Sequence, residues 1–327
     1  MTHTSRDLLI RGRMLVVLLL LITAAALLTD GVFLQPENLV NVARQISFEA
    51  MIAFGMTLII ITGGIDLSVG SVVALAGVVA ALAMRAAGDQ STGAILVGAI
   101  AACGTGLVGG AAAGAIITRF ALPPFIVTLA LMLVARGLAF ILCGGEPIYE
   151  GLPTGLLWLG RGFVLEGALG RRLPVPVLVM AILFATSWML LARTVVGRCV
   201  IAVGSNEEAA RLAGIPVRRT KLFVYVLTGG LAGLVGLLHD GKLMAADPKI
   251  GEMWELNIIA AVVVGGTSLF GGRGGIPGTL VGALIIGVLN NMLNLMGVQH
   301  FWQKVVLGLV ILAAALLDAA MAKLGKK

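Results

Sequence analysis

The chain contains 327 residues, of which 59% are hydrophobic and 12% are charged, and its mean hydropathy is +1.06. So little polar surface excludes a soluble globular protein, and the composition predicts a polytopic membrane protein. A formal net charge of +7 is expected of basic loops beside membrane spans, so it does not indicate nucleic-acid binding.

Apolar stretches fill most of the chain. A helix needs about 20 apolar residues to cross a hydrocarbon core of about 30 Å. We therefore predict an all-α protein with about ten transmembrane helices in a single domain, residues 1–327. The predicted spans lie near residues 14–29, 46–62, 66–86, 94–117, 124–143, 174–192, 221–238, 256–271, 276–296 and 301–319.

Basic residues predict the orientation. The first span follows Arg6, Arg11 and Arg13, a pattern shared with cleavable signal peptides, but the many later spans favour an uncleaved first helix. Ten spans leave both termini on one side. Alternating the loops places 14 basic residues on that side and 8 on the other, with Arg136 inside a span, out of 23 in all. We therefore expect both termini in the cytoplasm and the long polar connection, residues 144–173, outside.

Residues suited to catalysis or metal binding are scattered. The isolated cysteines and histidines are Cys103, Cys143, Cys199, His3, His239 and His300. None has the spacing of a disulfide framework or a metal site, so no catalytic residue, disulfide or metal is predicted. Gly106, Gly110 and Gly114 instead repeat every four residues, which predicts close packing between helices.

One densely charged segment, residues 204–220, separates two apolar stretches and reads GSNEEAARLAGIPVRRT. Ser205 precedes Glu208 by three residues, which is the spacing of a capping box. Glu207 and Glu208 would then lie at the positive end of the helix dipole. A short helix is therefore expected to begin here.

The same charged segment also contains a helix end. Gly214 favours the left-handed conformation that stops a helix and Pro216 cannot continue one, so the helix should cover about residues 206–213, or ~12 Å. Its charged side carries Glu207, Glu208 and Arg211, whereas its apolar side carries Ala209, Leu212 and Ala213. This apolar side either packs on the rest of the chain or meets a partner.

Two glycine-rich segments interrupt the apolar pattern at membrane depth, residues 63–71 and 265–279. The first contains Asp66, whose burial in lipid would cost about 2.5 to 3.5 kcal/mol, so its side chain should face protein or water. Irregular backbone is tolerated in a membrane where it is buried in protein or lines a cavity. These segments are therefore either parts of a transport path, with Asp66 and Ser68 lining it, or tight turns in which Asp66 caps the next helix.

An amide-rich stripe lies in the ninth predicted span, formed by Asn290, Asn291 and Asn294. It is suited equally to binding a hydroxylated solute and to bonding a neighbouring helix. Glu49 and Arg136 are the other ionisable residues expected inside spans.

No phosphate-binding loop of the type GxxxxGK[ST] occurs in the chain. Proton coupling would need several carboxylates in relay, whereas Asp66 and Glu49 are the clear candidates. Transport driven by a separate ATPase is therefore favoured, with the charged segment as its attachment point. A secondary carrier driven by an ion gradient is the alternative.

Three blocks, residues 55–71, 202–221 and 260–298, together resemble the permease subunit of ribose-type ABC sugar importers. They read GMTLIIITGGIDLSVGS, AVGSNEEAARLAGIPVRRTK and AAVVVGGTSLFGGRGGIPGTLVGALIIGVLNNMLNLMGV. The resemblance extends over nearly the whole chain. It implies an all-helical permease that pairs with a second permease around a central path. It also implies two cytoplasmic ATPase subunits, which bind ATP and Mg²⁺, and a periplasmic sugar-binding protein.

The resemblance also implies roles for residues. The family's coupling-helix loop is matched by Gly204, Asn206, Glu208, Ala209, Leu212, Gly214 and Ile215, and Ser205, Glu207 and Arg211 complete the candidate coupling set. Asp66, with Gly64, Leu67, Ser68 and Gly70, matches the signature between the second and third spans. Met292 and Pro277 depart from the family pattern. The expected function is ATP-driven import of a monosaccharide, whose identity is selected mainly by the binding protein.

Overall fold

The computed structural model describes residues 3–88, 91–164 and 173–324. Within these ranges the chain forms thirteen α-helices, one 3-10 helix and two short strands, so the predicted all-α class is confirmed. The helices are α1 (His3–Leu28), α2 (Pro36–Ile61), α3 (Val69–Ala87), α4 (Thr92–Phe120), α5 (Pro124–Cys143), α6 (Leu156–Arg161), α7 (Val175–Arg193), α8 (Val195–Ser205), α9 (Glu207–Leu212), α10 (Val217–Leu243), α11 (Trp254–Val264), α12 (Ile276–Leu295) and α13 (His300–Leu324). The 3-10 helix is Val32–Leu34.

Seven helices in the described ranges are long and apolar enough to cross a membrane: α2, α3, α4, α5, α7, α10 and α12. The first and tenth predicted spans fall on α1 and α13, which contain the shorter apolar stretches Met14–Leu28 and Phe301–Ala313. The predicted span 256–271 is wrong in its second half. Helix α11 has 11 residues and ends at Val264, because the glycines that follow adopt positive φ, +84° at Gly266 and +82° at Gly271.

Helix α2 forms the centre of the bundle. Nearly every side chain from Ile46 to Ile61 is buried, and the helix packs against α7, α10, α11 and α12. A helix that is apolar on all sides is stable where other helices surround it. Its central place therefore follows from its sequence.

The predicted glycine contact lies between α4 and α10. Gly106 and Gly110 face Gly229 and Gly233, and a Cβ on Gly106 would overlap the carbonyl oxygen of Gly229. We call these four glycines the glycine seam. Their backbones approach as closely as glycine allows, which explains the four-residue repeat.

The long connection is attached to the end of α10. Strand β1 (Phe163–Val164) pairs antiparallel with β2 (Leu173–Pro174), with Phe163 opposite Pro174 and Val164 opposite Leu173. A single bridge joins Ile148 to Ala246. Part of the predicted connection, residues 165–172, lies outside the described residues.

Candidate coupling surface and membrane path

The helix of the charged segment begins one residue later than the capping-box spacing predicts. The side chain of Asn206 accepts a hydrogen bond from the Ala209 amide at 2.9 Å and caps α9. Ser205 belongs to the last turn of α8, where its hydroxyl donates to the Ile201 carbonyl at 2.8 Å. The predicted cap at Ser205 is therefore wrong, because α8 extends further than expected and asparagine caps a helix as well as serine does.

Helix α9 ends as the sequence predicts. Gly214 has a φ of +79°, and its amide donates to the Arg211 carbonyl at 3.1 Å. The Ile215 amide donates to the Ala210 carbonyl at 3.0 Å, so a left-handed stop closes the helix. Pro216 then precedes α10.

The apolar side of α9 is exposed. Leu212 has 85% of its surface accessible, and Ala209 and Ala213 are exposed beside it. The helix is held instead through Ala210, which is 4% accessible and packs with Val203 and Val217. Packing on the rest of the chain therefore does not account for the side that carries Leu212.

Two ion pairs involve Glu207, one within α9 and one that connects α9 to α10. Glu207 accepts hydrogen bonds from Lys221 at 2.6 Å and from Arg211 at 3.0 Å. The hydrogen bond from Lys221 is the main reason that the pKa of the Glu207 carboxyl is lowered from its usual range. Glu208 is exposed on the same helix.

Three sequence blocks meet at one point, which we call the glycine junction: Ile61, Gly204, Ser205, Gly271 and Gly272. The Gly272 amide donates to the Ile61 carbonyl at 2.9 Å. A Cβ on Gly204 would overlap that carbonyl oxygen, and one on Gly272 would lie 2.8 Å from the Ser205 hydroxyl. The end of α2, the end of α8 and the loop before α12 therefore touch through their backbones, which sequence reasoning did not predict.

Asp66 and Ser68 form a hydrogen-bonded turn directly before α3. Asp66 is 2% accessible, and its Oδ1 accepts hydrogen bonds from the Ser68 amide at 2.8 Å and the Ser68 hydroxyl at 2.6 Å. The tight turn is confirmed, but the prediction that Asp66 caps the next helix is wrong, because among the described residues Asp66 bonds only to Ser68, which is itself the N-cap residue of α3. In this conformation the two candidate path residues are bonded to each other.

The three asparagines of the amide-rich stripe have different surroundings. Asn291 exchanges two hydrogen bonds of 3.0 Å with Asn38 of α2, and Asn294 accepts one of 2.7 Å from Gln303 of α13. Among the described residues, the Asn290 side chain has no hydrogen-bond partner. Asn291 and Asn294 therefore join helices, and Asn290 is left for another role.

Asn290 belongs to a cluster that sequence reasoning missed, which we call the polar recess: Gln45 and Glu49 of α2, Asn257 of α11 and Asn290 of α12. Gln45, Glu49 and Asn290 line a shallow open recess with about 20 Å³ of room, roughly the space of one water molecule. Asn257 donates to Glu49 Oε1 at 3.2 Å. The four-residue spacing of Gln45 and Glu49, ahead of a mostly apolar run, was the signal available in the sequence.

Arg136, which was predicted with Glu49 to be ionisable inside a span, lies outside the polar recess. Arg136 Nη1 donates to the carbonyls of Pro248 and Ile250 at 2.5 and 2.7 Å. In the part of the chain that the structure describes, no group of three or more His, Cys, Asp or Glu residues is placed to hold a metal ion.

Residues 38–315 match the family described as the branched-chain amino acid transport system permease component. The chain is 46% identical over 288 residues to the ribose import permease protein RbsC of Bacillus subtilis (strain 168), covering 88% of this chain and 86% of that protein. It is 43% identical over 313 residues to RbsC of Escherichia coli (strain K12), covering 95% and 94%. Identity to the D-allose transport system permease protein AlsC of the same strain is 34% over 307 residues, covering 94% and 91%.

No solved structure gave a significant match. The relatives are permease proteins, which supports the prediction that this chain is a membrane component of a transporter rather than an enzyme. The resemblance to ribose-type importer permeases is confirmed by the same matches. Because the match extends over most of the chain, the chain belongs to this family of transport-system permeases.

Proposed function

We propose that the chain is the transmembrane subunit of an ATP-driven importer that carries a ribose-like monosaccharide across a bacterial inner membrane. The identity of 43 to 46% to ribose import permeases over most of the chain carries this proposal. The family description refers to amino acids, but relatives covering 89 to 94% of the chain are named for allose and xylose. A monosaccharide is therefore the favoured solute.

The proposed arrangement is a single multi-pass domain with both termini in the cytoplasm. The excess of basic residues on that side supports it, with the charged segment inside and the long connection, residues 144–173, outside. The outer side would receive the sugar from a periplasmic binding protein. A second permease, either another copy or a homologue, would complete the path, and membrane lipid would surround the pair.

The charged segment is the proposed attachment point for an ABC ATPase. Its exposed apolar side, centred on Leu212, offers the kind of surface that a protein groove buries. ATP and Mg²⁺ would be bound by the ATPase, and this chain would bind neither. Asn206, Gly214 and the pair of Glu207 with Lys221 hold the helix in place.

The glycine junction offers a direct mechanical connection from α9 to the bundle. When ATP closes the ATPase dimer, α9 and the end of α8 would move together. Gly204 and Gly272 would transmit that movement to the end of α2 and the loop before α12. Both α2 and α12 extend to the polar recess, so a shift at one end could change access at the other.

The test is sugar uptake into proteoliposomes that contain the chain with its ATPase and binding protein. Leu212→Ala should lower ATP-dependent ribose uptake about tenfold, since an anchor buried in a partner groove contributes about 1 to 2 kcal/mol. Ile141→Ala is the matched control, because Ile141 is 75% accessible on α5, far along the chain from the charged segment. Uptake that needs no ATP and collapses with the sodium or proton gradient would establish a secondary carrier instead.

A further inference from the structure

The polar recess contains more hydrogen-bonding capacity than the chain itself uses. Glu49 accepts one bond from Asn257, and among the described residues neither Gln45 nor Asn290 has a hydrogen-bond partner. Unpaired amides and a carboxylate are costly at membrane depth unless water or a polar solute meets them. These side chains therefore face something that hydrogen-bonds.

The neighbouring amides show what a purely structural role looks like. One residue further along α12, Asn291 is bonded twice to Asn38, and Asn294 is bonded to Gln303. The same helix thus satisfies two of its three asparagines within the protein and leaves the third open. Asn290 differs from them because it faces the recess rather than a neighbouring helix.

The lining of the recess resembles that of a sugar site, and its small volume admits a hydroxyl group while the sugar ring lies across the open side. Its remaining lining is apolar and mostly small, with Ala261, Ala283 and Gly287 beside Ile46 and Ile286. Solute sites typically combine apolar walls with a few placed polar groups. A monosaccharide matches both, since its C–H faces suit the walls and its hydroxyl groups can donate to a carboxylate and exchange bonds with amides.

We infer that the polar recess is a hydroxyl-binding station on the sugar's path, in which Glu49 accepts from one sugar hydroxyl and Gln45 and Asn290 bond its neighbours. This inference rests on the proposed function and deepens it. Three side chains on one side of a solute hold it weakly, which suits a station that must also release it. The second permease would close the opposite side.

The experiment measures ribose and 2-deoxyribose uptake per ATP hydrolysed by the complete importer in proteoliposomes, at saturating binding protein. Glu49→Gln should lower ribose uptake about tenfold, because a hydrogen bond to a charged acceptor is weakened. Glu49→Gln and Asn290→Ala should both bring the ribose to deoxyribose ratio closer to one. The matched control is Asn291→Ala, which removes the contact with Asn38 of α2. This variant is expected to leave the ratio of ribose to 2-deoxyribose uptake unchanged, even if the rate of uptake falls.

Each other outcome decides the question. If wild-type importer takes up no ribose with ATP, the proposed function fails. If the wild-type importer takes up ribose with ATP, and Glu49→Gln and Asn290→Ala both keep the wild-type ratio of ribose to 2-deoxyribose uptake, the hydroxyl-binding station is wrong. The proposed function would still stand. Should Glu49→Gln not assemble with the ATPase, Gln45→Ala and Asn290→Ala give the same test. Uptake that requires sodium and loses that requirement in Glu49→Gln would assign the recess to a cation.

Discussion

The bundle interior and the charged segment are held by different forces. In the interior, α2 is buried on all sides and the glycine seam brings α4 and α10 into backbone contact. The charged segment has two buried apolar side chains, Ala210 and Val217, and otherwise depends on a cap, two ion pairs and the glycine junction. A short helix held this way keeps its position but can move as a unit, whereas the interior resists change.

The largest effect is expected in the glycine seam. Gly106→Val would place side-chain atoms against the Gly229 backbone and force α4 away from α10, at a cost of about 3 kcal/mol or more. The thermal unfolding midpoint of the purified protein should fall steeply. The control is Gly137→Val on α5, where a Cβ meets no atom within 4 Å. Equal unfolding midpoints for the two variants would contradict the close packing of the seam.

The second effect is expected at the glycine junction. Gly204→Ala places a methyl group against the Ile61 carbonyl and displaces the end of α8 from α2. Because this strain lies between the charged segment and the bundle, uptake per ATP hydrolysed should fall about tenfold, with a smaller change in unfolding midpoint than Gly106→Val causes. Gly104→Ala, which meets no atom within 4 Å, is the control. Unchanged coupling in Gly204→Ala would mean that the contact transmits no movement.

A third and smaller effect is expected at the start of α9, where Ser205 and Asn206 are the two candidate capping residues. Asn206→Ala removes the side chain that caps α9 and should weaken that helix by about 1 kcal/mol, whereas Ser205→Ala should cost less. Hydrogen exchange of the α9 amides measures the loss of helix stability in each variant. A greater loss of protection in Ser205→Ala would restore the capping box that the sequence predicts.

The smallest effect concerns pH. The pKa of Glu207 is lowered in the folded protein, so its ion pairs stabilise α9 above the ordinary glutamate pKa and are lost as pH falls through the lowered value. Because Glu207 is partly exposed, the gain is about 0.5 kcal/mol. Exchange protection of α9 should be constant from pH 8 to about pH 5 and decline below about pH 4. In Glu207→Gln this decline in exchange protection should disappear. If the decline persists, a titrating group other than Glu207 causes it.

Sequence reasoning succeeded where local chemistry decides the outcome. The apolar windows locate the long helices, Gly214 stops α9 through its own φ, and the glycine repeat of α4 becomes a close helix contact. It failed where two neighbouring residues offer the same chemistry. Ser205 and Asn206 can both cap a helix, and the length of α8 selected Asn206.

The sequence by itself determined that this chain is a bundle of membrane helices with a short charged helix between them, because hydropathy and backbone preferences act over a few residues. Only the tertiary structure decided which amides are free and which segments touch. Asn290 and Asn291 are adjacent residues of the same type. Asn291 bonds to Asn38 of α2, whereas Asn290 lines the polar recess, so the packing of α12 gives them different surroundings. Ile61, Gly204 and Gly272 lie far apart in the chain, so their contact depends on how the helices pack.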